Sequence, residues 1–479
     1  MQTAHPRRWT ALAVIALAQF IVIMDTSIIG VALPEIQGGL GFSPEDLSWV
    51  FNAYVVAFGG LLLLGGRLAD LFGAKRMFSL GWGILAAGSL AAGLAGSPGV
   101  EIAARAVQGA GAALIAPSAL TLLMMLFGSN PKELMKAFAI YGAAAPAGGT
   151  AGVFLGGVIT EWISWPWVFY INIPIALAVL AITPGVMPSV PARRGSIDLV
   201  GALTATAGLA LTVFGIVRAP DEGWGSSATL LAVGGGIALL AAFVAVQASR
   251  REPLMRLSIL RTPNLAAANL AQVLLGAAWI PMWFFLNLYL QQVLGYGAFE
   301  GGAALLPMTA AIMLLMVVVA PRVIARFGPK APIVAGMLLL AAGMVAMSLV
   351  RPDGSFVVDV LPASLIAATG MALAFIPSLG TAIQSARPEE GGLASGIVNT
   401  SYQVGSALGL AAMTALATSQ GAGRLGDPAA LTDGYSAAFL GAAGIALVGA
   451  LLAAALLRTP KAPAAADESP ADDRELVAA

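Results

Sequence analysis

Leu17-Ala-Gln-Phe-Ile-Val-Ile-Met-Asp-Thr-Ser-Ile-Ile-Gly-Val-Ala-Leu-Pro34 is an apolar run that carries a single carboxylate, Asp25. Together with the apolar residues before it, the run reaches the roughly 20 residues that a helix needs to cross a bilayer. A charge at that depth is costly, so an ionisable residue inside a span faces a partner or a cavity rather than lipid. The run places Asp25 toward its outer end. Two readings of this acid stand open at this point: a paired or protonated structural group, and a site that takes up and releases a proton.

The rest of the chain extends the membrane reading. It has 479 residues, 59% hydrophobic and 10% charged, with a mean hydropathy of +0.88. A soluble domain carries about 25% charged residues, so the chain reads as an all-α polytopic membrane protein. The formal net charge is zero, which gives no electrostatic case for nucleic acid. The absence of cysteine removes disulfides, thiolate metal sites and cysteine nucleophiles. The one histidine, His5, belongs to the polar N-terminal tail, so neither a histidine proton relay nor a zinc site is expected. Pro6-Arg7-Arg8 before a long apolar run has the outline of a signal peptide. The run persists for a full span and ends in Ala-Leu-Pro-Glu, so it reads as a retained first span.

Fourteen such segments can be read, at residues 10–33, 48–69, 77–96, 100–126, 137–160, 167–187, 199–217, 228–247, 265–290, 301–320, 331–350, 358–382, 392–418 and 435–457. The cations test this count, because cytoplasmic loops collect Lys and Arg. Of 24 Lys and Arg, 20 fall on the side of the N-terminus, three (Arg218, Arg351 and Arg424) fall on the other side, and Arg105 lies within a span. A missed span would invert every later loop, so both termini are expected in the cytoplasm.

The spans group as six, two and six. Residues 9–187 form a first six-helix bundle, 188–263 a linker with two extra spans, and 264–457 a second six-helix bundle. Residues 458–479, rich in Ala, Pro and acids, read as a disordered cytoplasmic tail. The two extra spans hold almost no polar residue beyond Ser, Thr and Gly, and read as lipid-facing packing elements.

Four motifs lie on this frame. After span two comes Gly66-Arg-Leu-Ala-Asp70-Leu-Phe-Gly73-Ala-Lys75-Arg76, where Gly66 is expected to let helices approach and Gly73 to make a tight turn. Span four holds Arg105-Ala-Val-Gln108, with Arg105 and Gln108 on one helix face. Span five reads Gly148-Gly-Thr-Ala-Gly152-Val-Phe-Leu-Gly156-Gly157, a ridge of glycines that suits close helix packing. Trp165-Pro-Trp167-Val-Phe-Tyr-Ile-Asn172-Ile-Pro174 leads into span six. With the Asp25 segment, these motifs resemble those of the major facilitator superfamily, in particular its 14-helix drug:proton antiporters. The resemblance runs from about residue 9 to 457. Val153 departs from it where the family usually has proline, and Pro166 where an arginine is common. Pro321-Arg322-Val-Ile-Ala-Arg326-Phe-Gly328-Pro-Lys330 is a degraded echo of the Asp70 loop, with Ala325 in the place of Asp70, as two duplicated halves would give.

The resemblance implies a major facilitator fold with 14 transmembrane helices (6+2+6), alternating access, and export driven by the proton gradient with no other cofactor. It assigns proton coupling to Asp25 and Arg105, since an acid that can exchange its arginine partner for a proton is what an antiporter needs. It assigns conformational gating to Gly66, Asp70, Gly73, Arg76, Gly152, Gly156 and Gly157. A small lipophilic, cationic substrate is expected to meet Gln19, Asn52, Gln108 and Tyr141 in the first half. In the second half, Gln272, Gly276, Trp279, Trp283 and Asn287 share one face of span nine, and large aromatics suit flat apolar or cationic cargo. Span thirteen adds Asn399, Tyr402, Gln403 and Ser406 at helical spacing, whereas Asn52 and Tyr54 of span two and Tyr141 of span five are weaker candidates. Spans nine to fourteen hold no acid near the midplane, so a single main carboxylate and a low proton-to-substrate ratio are expected. The resemblance further implies a monomer in the bacterial plasma membrane, with the bilayer, protons and substrate as its partners.

Two other readings remain: export of a lipid or self-made natural product with incidental drug efflux, and proton-coupled import. No cluster of catalytic residues suggests a membrane enzyme, and no Gly-x-x-x-x-Gly-Lys-Ser/Thr loop suggests an ATP-driven pump.

Overall fold

The computed structural model describes residues 7–188, 197–250, 253–385 and 391–458. The expectations about His5, the middle of the linker after span six and the acidic tail fall outside the described residues. Twelve helices are long and apolar enough to cross a membrane. They are α1 (Arg8–Leu40), α2 (Trp49–Phe72), α4 (Pro98–Phe127), α5 (Pro131–Trp162), α6 (Trp167–Val186), α7 (Leu199–Glu222), α8 (Ser227–Ser249), α9 (Asn264–Val293), α10 (Ala298–Phe327), α11 (Lys330–Met347), α12 (Phe356–Ser385) and α14 (Pro428–Leu456). Two more, α3 (Ala74–Gly93, 20 residues) and α13 (Gly391–Ala417, 27 residues), bring the long helices to fourteen. Lys75, Arg76 and several Gly and Ser make α3 the less apolar of these two.

Local chemistry sets the ends. Gly73 at φ 94° and Gly328 at φ 69° turn the chain between α2 and α3 and between α10 and α11, a conformation that costs glycine little. These are corresponding positions of the Asp70 loop and its echo. Asp198, Ser226 and Asp427 cap α7, α8 and α14 by accepting backbone N–H bonds, as short polar side chains do. The Asp427 cap starts the last helix at Pro428 rather than 435. α1 runs on to Leu40, ended by Gly41 at φ 71°, so Asp25 lies near the middle of its helix and not toward its outer end.

Both described chain ends meet at one end of the bundle, the terminus end. There Arg458 N–H donates to Asn264 Oδ1 at 2.9 Å, Arg8 pairs with Glu133 at 2.7 Å, and Lys75 Nζ donates to the carbonyls of Pro184 and Met187 at 2.9 and 3.1 Å. At the opposite, far end, Arg218 pairs with Asp46 at 3.3 Å.

The packing repeats. In the first half α1 packs on α5, α2 and α3 on α4, and α3 on α6; eight helices later α9 packs on α13, α10 and α11 on α12, and α11 on α14. The halves meet through α2 against α13 and α5 against α10. Exchanging the halves converts one of these contacts into the other, as an internal pseudo-two-fold axis requires. α7 lies against α2 and α13, and α8 packs chiefly on α7. One apolar core, around Phe78, Trp82, Leu122 and Phe127, fills the first half. The other, around Phe284, Tyr289 and Phe439, continues into Ile29, Leu33 and Phe51 of the first half. The two halves therefore share a core toward the far end.

Candidate functional site

Asp25 is completely buried, and so are the residues around it. Arg105 Nη1 on α4 donates to Asp25 Oδ2 at 2.6 Å. Asn172 Nδ2 on α6 donates to Asp25 Oδ1 at 2.8 Å, and Gln108 Nε2 reaches the same oxygen at 3.3 Å. Gln108 also accepts from Arg105 Nη1 at 2.8 Å and donates to Ser89 Oγ on α3 at 2.8 Å. Arg105 Nε donates to the Val50 carbonyl at 2.9 Å, and its guanidinium lies 4.6 Å from the centre of the Tyr54 ring. Side chains of α4 and α6 thus close on the carboxylate that α1 carries, and Ser89 of α3 holds two of them.

Small residues make this convergence possible. A Cβ on Gly109 would collide with the Tyr54 carbonyl, and one on Gly88 would come within 2.9 Å of the Gln108 backbone nitrogen. The arginine's spacing to Gln108 lets one helix face supply the cation and the amide that orients it. A buried pair gains Coulomb energy but loses the hydration of both ions, so it is held only where further hydrogen bonds complete it. Here Asn172, Gln108 and the Val50 carbonyl supply them, and the Tyr54 ring face adds a cation–π contact to Arg105. The cluster is not fully satisfied: Arg105 Nη2, Asn172 Oδ1, both polar atoms of Asn52 and both carboxylate oxygens of Glu101 are buried without a partner.

Asp25, Arg105 and Gln108 are thus brought together, with Gln108 inside the acid cluster rather than on a separate binding surface. Sequence reasoning missed Ser89 and Glu101 and noted Asn172 only within a motif. Asn172 follows a quoted Trp-Pro-Trp signature, and that was the signal available. Ser89 and Glu101 carry no local pattern.

The substrate candidates divide. Gln19 and Tyr141 are half-buried and bond to each other at 2.8 Å. Asn52 is buried. The five-residue face of α9 is shared among three neighbours. Gln272 bonds Ser378 of α12 at 2.8 Å, Gly276 lies against the Tyr402 carbonyl of α13, and a Cβ on Gly30 of α1 would come within 2.9 Å of Trp283 Nε1 and 3.1 Å of Asn287 Nδ2. The reason is topological: α9 packs on α12, α13 and α14 and also touches α1. Trp279 and Trp283 form a tilted pair with centroids 6.5 Å apart. Asn399 is exposed, and the Gln403 side chain meets Gly59 of α2.

The gating candidates also separate. The close helix approach after span two is made by Gly65, whose Cβ would strike the Ala113 carbonyl; a Cβ on Gly66 would meet Pro117 only at an ordinary 3.7 Å. The expectation for Gly66 is therefore corrected by one residue, because Gly65 is the position turned toward α4. Gly73 makes its turn as expected. Asp70 and Arg76 are exposed at the terminus end. Gly152 and Gly156 face α1, where added Cβ atoms would come within 2.7 Å of the Met24 carbonyl and 2.9 Å of the Ile28 carbonyl. Gly157 turns the other way, to the second half.

Polar and aromatic contacts across the halves gather at the far end, while Leu63 of α2 packs with Ala394 and Ile397 nearer the terminus end. Gln291 Nε2 donates to the Val31 carbonyl at 2.9 Å, Gln292 Nε2 to Gln37 Oε1 at 2.8 Å, and Trp162 stacks on Phe299 at 5.0 Å. A Cβ on Gly157 would lie 2.9 Å from both the Ala298 carbonyl oxygen and Phe299 Cα. Gly157→Val is expected to force this seam apart. Overpacking of about 1–3 kcal/mol corresponds to roughly 5–150-fold in a two-state equilibrium. The chain has no cysteine, so Gln291→Cys can report it. Labelling of that cysteine by a membrane-impermeant maleimide is expected to rise several-fold in the Gly157→Val background. Unchanged labelling would count against the seam as the closing contact.

Residues 15–410 match the family model described as Major Facilitator Superfamily. The chain is 40% identical over 465 residues to the cephamycin export protein CmcT of Amycolatopsis lactamdurans, covering 96% of this chain and 94% of that one. It is 36% identical to the puromycin resistance protein pur8 of Streptomyces alboniger, covering 95% and 92% of the two chains. It is 34% identical to the lincomycin resistance protein of Streptomyces lincolnensis, covering 93% and 90%. Among solved structures it resembles an auto-inhibited peptide transporter of the POT family, with a TM-score of 0.67, 16% identity, and 95% and 99% of the two chains covered. It also resembles the human organic anion transporter MFSD10, with a TM-score of 0.63, 16% identity, and 94% and 100% covered. At these identities the structural likeness concerns the fold.

Proposed function

The chain belongs to the Major Facilitator Superfamily, whose members are membrane transporters and not enzymes, and from that premise we propose that it exports small lipophilic, cationic toxic compounds in exchange for protons. The observation that carries this reading is the buried Asp25–Arg105 pair, held by residues from α1, α3, α4 and α6. A helix set that moves as a unit and shares one neutralisable charge can link proton occupancy to conformation. The antibiotic export and resistance named for the relatives supports small toxic molecules as the cargo. The terminus end faces the cytoplasm in this reading, because 20 of the 24 Lys and Arg fall on that side. The bacterial relatives support an inner-membrane location. The protein acts as a monomer, with no cofactor beyond the proton gradient.

Export proceeds by rocking of residues 9–187 against 264–457, with 188–263 carrying the two extra helices along the seam between α2 and α13. The far-end closure described above corresponds to the state open to the cytoplasm. A proton entering from outside neutralises Asp25 and frees Arg105. Opening toward the cytoplasm then lets the proton leave as substrate binds. Each charge moved down the membrane potential supplies about 2.3 kcal/mol per 100 mV. The Trp279–Trp283 pair takes the flat face of the substrate, with Gln19, Tyr141, Asn399 and Gln403 as polar partners. Trp279→Ala is expected to raise the KM for ethidium by roughly 2–30-fold, the range set by about 0.5–2 kcal/mol for a cation over an aromatic face, with little change in kcat. An unchanged KM removes Trp279 from the binding surface.

A second reading is export of one natural product by a dedicated carrier, which the printed function of the cephamycin relative favours. Ethidium efflux from proteoliposomes under an imposed pH gradient tests the first reading. Gradient-dependent efflux supports it. Its absence in a folded protein that moves a β-lactam instead favours the second.

A further inference from the structure

Glu101 has no part in the account above, and its surroundings are unusual. It lies in the first turn of α4, is fully buried, and neither carboxylate oxygen has a partner. Arg105 is one helical turn further on, on the same face. That arginine keeps one buried nitrogen, Nη2, equally without a partner, while Nη1 and Nε are committed to Asp25, Gln108 and the Val50 carbonyl. A spare donor and spare acceptors thus stand about 6 Å apart along one helix axis and do not bond, because Asp25 draws the guanidinium the other way.

We infer that Glu101 is a second proton-carrying carboxyl, which takes over Arg105 when Asp25 is protonated. The inference rests on the proton-coupled reading and adds a residue to it. A buried carboxyl without a partner is tolerated as the neutral acid and not as the bare anion. In the arrangement described here Glu101 therefore carries a proton while Asp25 is the anion paired with Arg105. The exchange breaks the O–H bond of Glu101, forms one on Asp25, and passes Arg105 from the Asp25 carboxylate to the Glu101 carboxylate. The trio holds one positive and one negative charge before and after, so the proton moves without creating a net buried charge. The charged and titratable groups around Glu101 among the described residues are Arg105 on its own helix, Asp25 on α1 and Tyr54 on α2, whose ring lies against Arg105. α4 runs from the far end to the terminus end, so Glu101 precedes Asp25 on the way in from the far side. As Asp25 gives up its proton, a proton from that side refills Glu101 and Arg105 returns to Asp25, so the trio keeps one positive and one negative charge. The sequence suggests one carboxyl for this work; the fold places a second buried one, Glu101, one helical turn from Arg105.

The first test needs no transport. The infrared carbonyl band of a protonated carboxylic acid is recorded at neutral pH on the purified, full-length protein. The band is expected in the natural protein and absent in Glu101→Gln. It is also expected to be lost in Asp25→Asn, where Arg105 turns to Glu101 and ionises it. Glu101→Asp is expected to keep it. A band unchanged in Glu101→Gln overturns the proton on Glu101, and a band that persists in Asp25→Asn overturns the exchange. In proteoliposomes, Glu101→Gln is expected to lower ethidium efflux driven by a pH gradient at least tenfold while ethidium–ethidium exchange persists. Efflux at the natural rate overturns the proposal. If the natural protein ignores the pH gradient, the export reading fails, and the infrared result still decides the state of Glu101.

Discussion

Asp25→Asn is expected to abolish gradient-driven efflux, with a loss of at least ~100-fold, about 2.8 kcal/mol at the coupled step, while the protein remains folded. The argument is local. Asn keeps the size of Asp and an acceptor oxygen for Asn172, and Arg105, which now donates to Asp25, has the unpartnered Glu101 carboxyl to turn to. The stability loss is therefore expected below the ~3–5 kcal/mol of removing one partner of a buried pair outright. Function has no such fallback. An amide cannot take up and release the proton, and among the described residues Asp25 is the fully buried acid that joins α1 directly to α4 and α6, and to α3 through Gln108, Asn172 and Ser89. Efflux assays and thermal unfolding of the same preparation separate the two effects. Full activity in Asp25→Asn would remove Asp25 from the coupling step.

Arg105→Met is expected to be the more destabilising change, by about 3–5 kcal/mol. It removes the cation from an acid with no exposure and strips donors from Gln108, the Val50 carbonyl and the Tyr54 ring face together. The double variant Asp25→Asn/Arg105→Met then provides a sharp check. Removing a buried pair as a whole is often near neutral, whereas breaking it leaves an uncompensated charge. The double variant is expected to be more stable than Arg105→Met alone, with a coupling of about 1–3 kcal/mol between neighbouring sites. It is expected to remain inactive. Additive losses would mean that the two residues act separately, and the Asp25 cluster would lose its role as one unit.

The architecture was legible because its signals are cumulative. Fourteen apolar segments, the asymmetry of Lys and Arg, and the repeated glycine turn at Gly73 and Gly328 each constrain the same topology. The ends were less legible. An Asp427 cap and a helix that persists through Pro34 to Leu40 override the hydropathy boundaries. At the site, Arg105 and Gln108 could be paired from their spacing, and Arg105 with Asp25 from the family pattern. Ser89 could not, since a serine in a glycine-rich helix has no periodicity to betray its partner. Glu101 stands at the start of its span, where an acid reads as a solvated helix end, and only the packing of α4 takes it out of water. Gly65 and Gly66 are adjacent in sequence, and only the rotation of α2 decides which one faces α4. The face of α9 had the correct helical spacing, yet a central helix has neighbours on several sides, so one face in the sequence became several contacts in the fold.

The central claim is that proton movement and substrate movement are opposed and obligatorily linked. It is tested most directly by recording the pH outside proteoliposomes as an ethidium gradient is imposed across a membrane with no initial pH difference. The account predicts a proton flux against the direction of ethidium flow, reversed when the ethidium gradient is reversed and lost in Asp25→Asn. Ethidium flux with no proton flux, or with protons moving in the same direction, would contradict it.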